Sequence, residues 1–338
     1  MEAKSKTYKI LSIDGGGIRG IIPAKILAEL EQHAEQNGSG KKLNEEFDLI
    51  CGTSTGAIIA VGLALGVSAK DLLKFYKKHA SDIFPSWPWN LDKLKGIYRP
   101  IYSNKKLLKS LHDVYALTTE GQTALINDAK TNLCIPSFNG GTGEINVFKT
   151  RHHPDYSRDY KMPAHHVALS SASAPVYFKP HSFQFSNEYG NGKNLNMIDG
   201  GLFANNPSLI GVFEATDKLG CKFKDIMMLS LGTGQGRHIL KRRWKPPSLR
   251  YWLLPNPRLF DIVIDSQSQM TEQYFAFLNR SLSAHGQQMV YKRVQYVFNE
   301  KPIALNTSRK ADLERLEIIG EELSKQHLSD IYNTFLKQ

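Results

Sequence analysis

The chain has 338 residues, of which 41% are hydrophobic, and it carries a formal net charge of +11. This hydrophobic content is enough for a substantial core, so the composition indicates a globular protein. The positive charge favours anionic partners such as phospholipid head groups or nucleotides, and charge alone does not choose between them.

Targeting signals and cysteines bear on where the protein works. No stretch approaches the roughly 18 consecutive apolar residues of a membrane span, and residues 1–7 lack the hydrophobic segment of a secretion signal. Cys51, Cys134 and Cys221 are odd in number, set in apolar contexts and without metal-ligand spacing. We therefore expect reduced thiols, no metal and a cytoplasmic protein.

The first predicted strand, Ile10–Ile13, runs into a glycine-rich loop from Asp14 to Gly20, and a helix begins near Ile21. The loop also satisfies Gly-x-Gly-x-x-Gly, the fingerprint of dinucleotide-binding units. Such a unit requires a further strand that ends in an acid about 20 residues on, which holds the ribose. Here the next strand leads straight into a Gly-x-Ser-x-Gly segment, so we expect no dinucleotide cofactor.

The Gly-x-Ser-x-Gly segment, residues 52–56, lies between a predicted strand, Phe47–Cys51, and an apolar helix, Ala57–Leu65. This context is typical of a nucleophile elbow, a tight turn that exposes a serine hydroxyl at a helix N-terminus. Gly52 and Gly56 flank the turn because a Cβ there would collide with neighbouring backbone. We predict Ser54 to be the nucleophile.

A serine hydroxyl needs a base that removes its proton. His238, His285 and His327 are the histidines that follow in chain order, but none has a convincing setting. Asp199 is the better candidate, since it ends a predicted strand at residues 195–198. We expect Gly200 and Gly201 behind it to let the chain turn sharply.

Strands and helices alternate along the chain, which predicts an α/β fold with a mostly parallel sheet between two helical layers. Among the later elements are a helix capped by Ser68 and a strand at residues 225–231. The end of that strand is expected to border the site. We divide the chain into a core, residues 1–235, and a mainly helical C-terminal region, residues 236–338, packed on that core. Two long helices are predicted in the latter, at residues 261–283 and 311–336.

Three motifs occur in the order that is known from one family: Asp14–Gly20, Gly52–Gly56 and Asp199–Gly201. Together with a block at residues 171–178, they show that the chain resembles the patatin-like phospholipases. The resemblance implies the three-layer patatin-like fold and a Ser-Asp dyad that cleaves acyl esters. It also implies that the first motif forms the oxyanion hole, where helix N-terminal amides suit developing negative charge. The residues assigned to the oxyanion hole are Gly15, Gly16 and Gly17 as amide donors, with Arg19 as a structural or charge-balancing neighbour.

Some bacterial members of the family are effectors of anti-phage systems and degrade membranes. Cyclic dinucleotides or related oligonucleotides activate these effectors. The resemblance therefore adds a cyclic-nucleotide activator, a phospholipid surface and self-association as expected partners, with no nucleic acid polymer. Trp87 and Trp252 lie in proline-containing segments, one of them near a basic cluster at residues 241–245, and either bind a bilayer interface or plug the core. A thioesterase, a general lipid esterase and a catalytically silent lipid- or nucleotide-binding module remain as alternatives.

Overall fold

A computed structural model describes residues 7–38, 40–84, 100–187, 190–238, 252, 258–300 and 302–337. Its centre is an eight-stranded sheet in which seven strands follow the order β5-β6-β3-β2-β1-β7-β9, and β4 also pairs with β3. The strands of this sheet are β1 (Tyr8–Ile13), β2 (Leu49–Gly52), β3 (Asn132–Asn139), β4 (Glu144–Lys149), β5 (His181–Asn187), β6 (Gly190–Asp199), β7 (Ile226–Leu231) and β9 (Val290–Val294). A separate parallel pair consists of β8 (Gln235–Gly236) and β10 (Val297–Phe298).

Parallel pairing runs from β3 through β2, β1 and β7 to β9, whereas β4, β5 and β6 pair antiparallel. This arrangement brings the C-terminal ends of β1, β2 and β7 to one edge of the sheet. In α/β sheets, ligands bind at that edge. The two predicted motifs that follow β1 and β2 therefore become spatial neighbours.

Helices cover both faces of the sheet. The helices are α1 (Ile21–Gln36), α2 (Leu43–Glu46), α3 (Thr55–Leu65), α4 (Ala69–Ile83), α5 (Asn104–Tyr115), α6 (Ala164–Ala172), α7 (Gly201–Ala204), α8 (Ser208–Phe213), α9 (Arg258–Ser283) and α10 (Lys310–Ile331). Side chains of alternating positions on β1 enter opposite cores, Leu11 with α1 and α3 and Ile10 with α8 and α9. The predicted three-layer α/β/α architecture is thereby confirmed.

The helix and strand predictions near the motifs agree with the structure. Helix α3 ends at Gly66 in a left-handed conformation, φ 95°, and Ser68 Oγ accepts the Asp71 amide to cap α4. The sequence also predicts a helix that Asn206 and Pro207 open and that ends at Gly220. In the structure α8 begins at Ser208 and passes into a π-helical turn at Glu214–Lys218.

The C-terminal region differs from its prediction in one respect. Both long helices are present as α9 and α10, but β9 and β10 lie between them, and β9 extends the central sheet beside β7. The described part of the C-terminal region, residues 236–338, therefore contains strands as well as helices. No helix in the described part of the chain is long and apolar enough to cross a bilayer. Trp87 and the basic residues Lys241, Arg242 and Arg243 lie outside the described residues.

Candidate active site

Ser54 lies at the turn between β2 and α3 with φ 54° and ψ −120°, a backbone conformation that side chains rarely adopt. Two close backbone contacts hold the turn in place. A Cβ on Gly52 would lie 2.2 Å from the Gly56 carbonyl oxygen, and one on Gly56 would lie 2.2 Å from that of Ile13. The flanking glycines therefore allow the turn to pack directly against the end of β1, as the sequence predicts.

The Ser54 hydroxyl donates a hydrogen bond of 2.5 Å to Asp199 Oδ2. Both residues are largely buried, at 9% and 2% exposure. The side chains of two separately predicted motifs are therefore in direct contact, although 145 positions separate the two residues in sequence. This pair has the geometry of a nucleophile and its base.

Helix α6 fixes the backbone of both members of this pair, a role that the sequence did not indicate. The amide of Ser54 donates to Ser171 Oγ at 2.9 Å, and the Ser171 hydroxyl donates to the Pro136 carbonyl at 2.6 Å. The amide of Asp199 donates to the Ser173 carbonyl at 3.1 Å. The C-terminal end of α6 therefore positions Ser54 and Asp199 relative to each other.

Burial raises the pKa of Asp199 from its ordinary value of 3.8 to about 7, against the lowering effect of hydrogen bonds from Ser54 and the Gly201 amide. The Gly201 amide donates to Asp199 Oδ1 at 2.7 Å, so each carboxylate oxygen has a donor. A Cβ on Gly200 would lie 2.3 Å from the Pro136 carbonyl oxygen, which requires glycine at this turn. A carboxylate with a pKa near 7 is a suitable general base at neutral pH.

The glycine-rich loop after β1 does not offer all three predicted amide donors. The amide of Gly15 donates to the Asn205 carbonyl at 3.0 Å, so it is already used. Among the described residues, no acceptor takes the amides of Gly16, Gly17 or Thr55, and all three residues line the cavity beside Ser54. The prediction for Gly15 is therefore corrected, because Asn205 occupies its N–H. Gly16 and Gly17 remain candidate donors together with Thr55, the residue after the nucleophile.

Two arginines hold this loop. Arg19 is buried and donates from Nε to the Ile303 carbonyl at 2.6 Å, a contact that supports the loop without reaching Ser54. Arg293 of β9 makes two parallel bonds to Asp14, of 2.9 and 2.6 Å. Although burial opposes its charge, Asp14 raises the pKa of Arg293 above its ordinary value. No sequence pattern near Arg293 suggested this role.

The histidines weighed as alternative bases have other partners or lie in the open. His238 Nε2 is 2.6 Å from Asp265 Oδ2, and His285 is exposed. His327, on α10, is half-buried and lies close enough to Lys292 for that charge to lower its pKa, after burial as the main cause. The structure brings Asp199, and none of these histidines, to Ser54.

A second cluster of potential ligands lies away from this site, around Glu214. One potential ligand atom from each of Glu214, Cys134 and His152 lies within 4.8 Å of the other two. Burial opposes its ionisation, but hydrogen bonds from His152, Lys149 and Tyr156 lower the pKa of Glu214 to about 2. Because these donors already occupy both carboxylate oxygens, the arrangement is that of a buried ion-pair network.

An apolar cavity of about 50 Å³ adjoins Ser54 and Asp199. Most of its lining side chains are hydrophobic, and helices α3, α4, α5 and α9 contribute to it. They include Ile58, Ile83, Phe84, Leu107, Phe178 and Phe260. This apolar lining is suited to a hydrocarbon group whose polar end lies at the serine.

Comparison with known proteins agrees with this geometry. The family model of patatin-like phospholipases matches residues 11–210, which include all three motifs. The chain belongs to the patatin-like phospholipase family.

Patatin-like relatives extend the comparison to the rest of the chain. A protein of Vibrio cholerae named cGAMP-activated phospholipase is 38% identical over 238 residues, 67% of this chain but only 64% of that protein. Patatin-like protein 2 of Oryza sativa subsp. indica is 29% identical over 97% of this chain and 86% of its own. Among solved structures, VipD of Legionella pneumophila aligns over 96% of this chain and 67% of its own with a TM-score of 0.42 and 12% identity.

Proposed function

We propose that this patatin-like protein releases fatty acids from phospholipids through Ser54 and Asp199. The observation that carries the proposal is the 2.5 Å hydrogen bond between the two side chains at the end of an apolar cavity. The cavity accounts for the acyl chain, and the dyad accounts for cleavage of the ester that joins it to glycerol. Family membership supports the same substrate class.

In the proposed reaction, Asp199 Oδ2 takes the proton of Ser54 as Oγ attacks the ester carbonyl carbon. The amides of Gly16, Gly17 and Thr55 stabilise the oxyanion of the tetrahedral intermediate, where each well-placed donor is worth roughly 10²–10³-fold in rate. Protonated Asp199 then gives its proton to the departing lysolipid alkoxide, which leaves an acyl-serine. Water, deprotonated by Asp199, attacks this ester, and the released Ser54 oxygen recovers a proton as the fatty acid leaves.

The buried base predicts a pH dependence. Because Asp199 must be ionised and burial raises its pKa to about 7, kcat/KM for a soluble ester should rise with pH through neutrality and reach a plateau above it. Below pH 7 the rate should fall about tenfold per pH unit. Initial rates between pH 5 and pH 9, measured where the protein stays folded, test this. A profile that is already flat at pH 5 would contradict the assignment.

The decisive test of the function compares wild type with Ser54→Ala. Wild type should release fatty acid from phospholipid vesicles and react with a fluorophosphonate probe, and Ser54→Ala should do neither, because the nucleophile is absent. Mass spectrometry of the labelled peptide should place the probe on Ser54. Probe reaction without lipid hydrolysis, combined with hydrolysis of acyl thioesters, would instead favour the thioesterase alternative.

We further propose that a cyclic dinucleotide activates the protein and that it serves as a cytoplasmic effector in antiviral defence. The name of the Vibrio cholerae relative, cGAMP-activated phospholipase, supports this regulation. The free thiols of Cys51, Cys134 and Cys221 suit a reducing compartment. Vesicle hydrolysis measured with and without cGAMP tests the regulation: equal rates at saturating nucleotide would remove it and leave a constitutive lipase.

A further inference from the structure

Helix α9, Arg258–Ser283, has an apolar stripe on its exposed side. Its members are Leu259, Val263, Met270, Tyr274 and Phe277, each between 37% and 66% exposed. Their spacings of four, seven, four and three residues place all five on one face of the helix, over roughly five turns. Large apolar side chains arranged in this way mark an interaction surface.

The acidic side chains of α9 face the protein, whereas those of an ordinary surface helix face the solvent. Its carboxylates face the protein: Asp265 binds the Gly236 amide, Glu272 accepts from Arg293, and Asp261 is half-buried. No Asp or Glu occurs among the exposed residues of α9, whereas Arg280 is exposed. Helix α10 provides the contrast, since its exposed side carries charges of both signs, including Lys310, Glu314, Arg315 and Lys325.

The stripe also adjoins the cavity of the proposed active site. Phe260 and Ile264, on the same helix, line that cavity next to Ser54. At 100° per residue, Phe260 lies about 40° and Ile264 about 80° around the helix from the edge of the stripe. A surface on which the stripe rests would therefore lie close to the route by which an acyl chain reaches the serine.

We propose that the α9 stripe docks the protein on a phospholipid bilayer, an inference that rests on the proposed lipase function. Apolar side chains next to a tyrosine, without exposed carboxylates, suit the interface of a bilayer that contains anionic lipid, and the net charge of +11 adds attraction to it. A second copy of this chain is the competing occupant. A stable protein interface uses about 20–30 residues on each side, against five in the stripe.

The test uses the full chain with Ser54→Ala, so that lipid is not consumed, and vesicles of mixed phosphatidylcholine and phosphatidylglycerol. Met270→Gln combined with Phe277→Gln should weaken vesicle binding in a sedimentation assay at least about tenfold, because two large apolar contacts with lipid are lost. Ile318→Gln, which removes an equally exposed apolar side chain from α10, should leave binding unchanged.

The same substitutions with Ser54 intact separate this proposal from the proposed lipase function. Hydrolysis of a water-soluble short-chain ester should stay within twofold of wild type, while release of fatty acid from vesicles should fall with binding. Absence of soluble-ester hydrolysis in wild type, both with and without cGAMP, would count against the lipase function, not against docking. Full vesicle binding by the double variant, or by the single variant Phe277→Gln should the double variant not fold, overturns docking. A lost dimer with unchanged vesicle binding would assign the stripe to a second copy.

Discussion

Asp199→Asn should lower kcat/KM for a soluble ester by about 10⁴-fold while the protein remains folded. The amide has the shape of the carboxylate, and its oxygen can still accept the Gly201 amide that now donates to Oδ1. Its nitrogen would face Ser54, where the carboxylate accepts a proton in the proposed mechanism. The variant therefore removes the base with little other change. Steady-state kinetics would measure the loss of activity, and a thermal melt would show that the protein remains folded.

His238→Gln is the matched control for that experiment. His238 was an alternative base by chain order, but its imidazole binds Asp265 and has no contact with Ser54. We expect the rate of this variant to stay within about threefold of wild type, since the substitution removes only the hydrogen bond between the half-buried imidazole and Asp265. Substantial turnover by Asp199→Asn together with inactivity of His238→Gln would reverse the assignment.

Gly56→Ala should reduce turnover by at least about 10²-fold, because it displaces the nucleophile elbow. The added Cβ would lie 2.2 Å from the carbonyl oxygen of Ile13 and 2.7 Å from that of Asp14. Both oxygens belong to backbone that leads into the glycine-rich loop, so relief of the collision must separate Ser54 from the proposed amide donors. Kinetics with a soluble ester, and the rate of fluorophosphonate labelling, measure this separation.

Gly62→Ala on the same helix is the control for the added methyl group. Its Cβ would meet the Cδ2 atom of Leu72 at 2.6 Å, the far end of a flexible side chain that can rotate away. Alanine also favours the helical state by about 1 kcal/mol relative to glycine. We expect near-normal activity from this variant. Equal loss in both variants would mean that the elbow is not specially constrained.

The sequence could predict the elements around Ser54 and Asp199 because each motif is local. A strand, a glycine turn and a helix start occur within about ten residues, and this local pattern predicts that positions 52 and 56 require glycine. The local pattern does not predict which backbone amides of the glycine-rich loop lack a hydrogen-bond acceptor. The Gly15 amide is occupied by the Asn205 carbonyl, from a residue 190 positions away, and no local pattern encodes that contact.

Long-range contacts explain the other omissions as well. Ser171 begins the block at residues 171–178 that contributes to the family resemblance, but no local pattern shows that its hydroxyl accepts the Ser54 amide. Strand β9 is short and carries Lys292 and Arg293, so its pattern does not resemble a buried strand, and its pairing with β7 decides its conformation. Propensity and periodicity do not contain this information.

The ion pair between Arg293 and Asp14 connects the last third of the chain to the glycine-rich loop after β1. Because β9 also completes an edge of the central sheet, this part of the chain is structurally continuous with the elements that hold Ser54. Melting and loss of hydrolytic activity should consequently coincide in one cooperative transition. Exchange of C-terminal segments between relatives would then require that the arginine be inherited together with its strand.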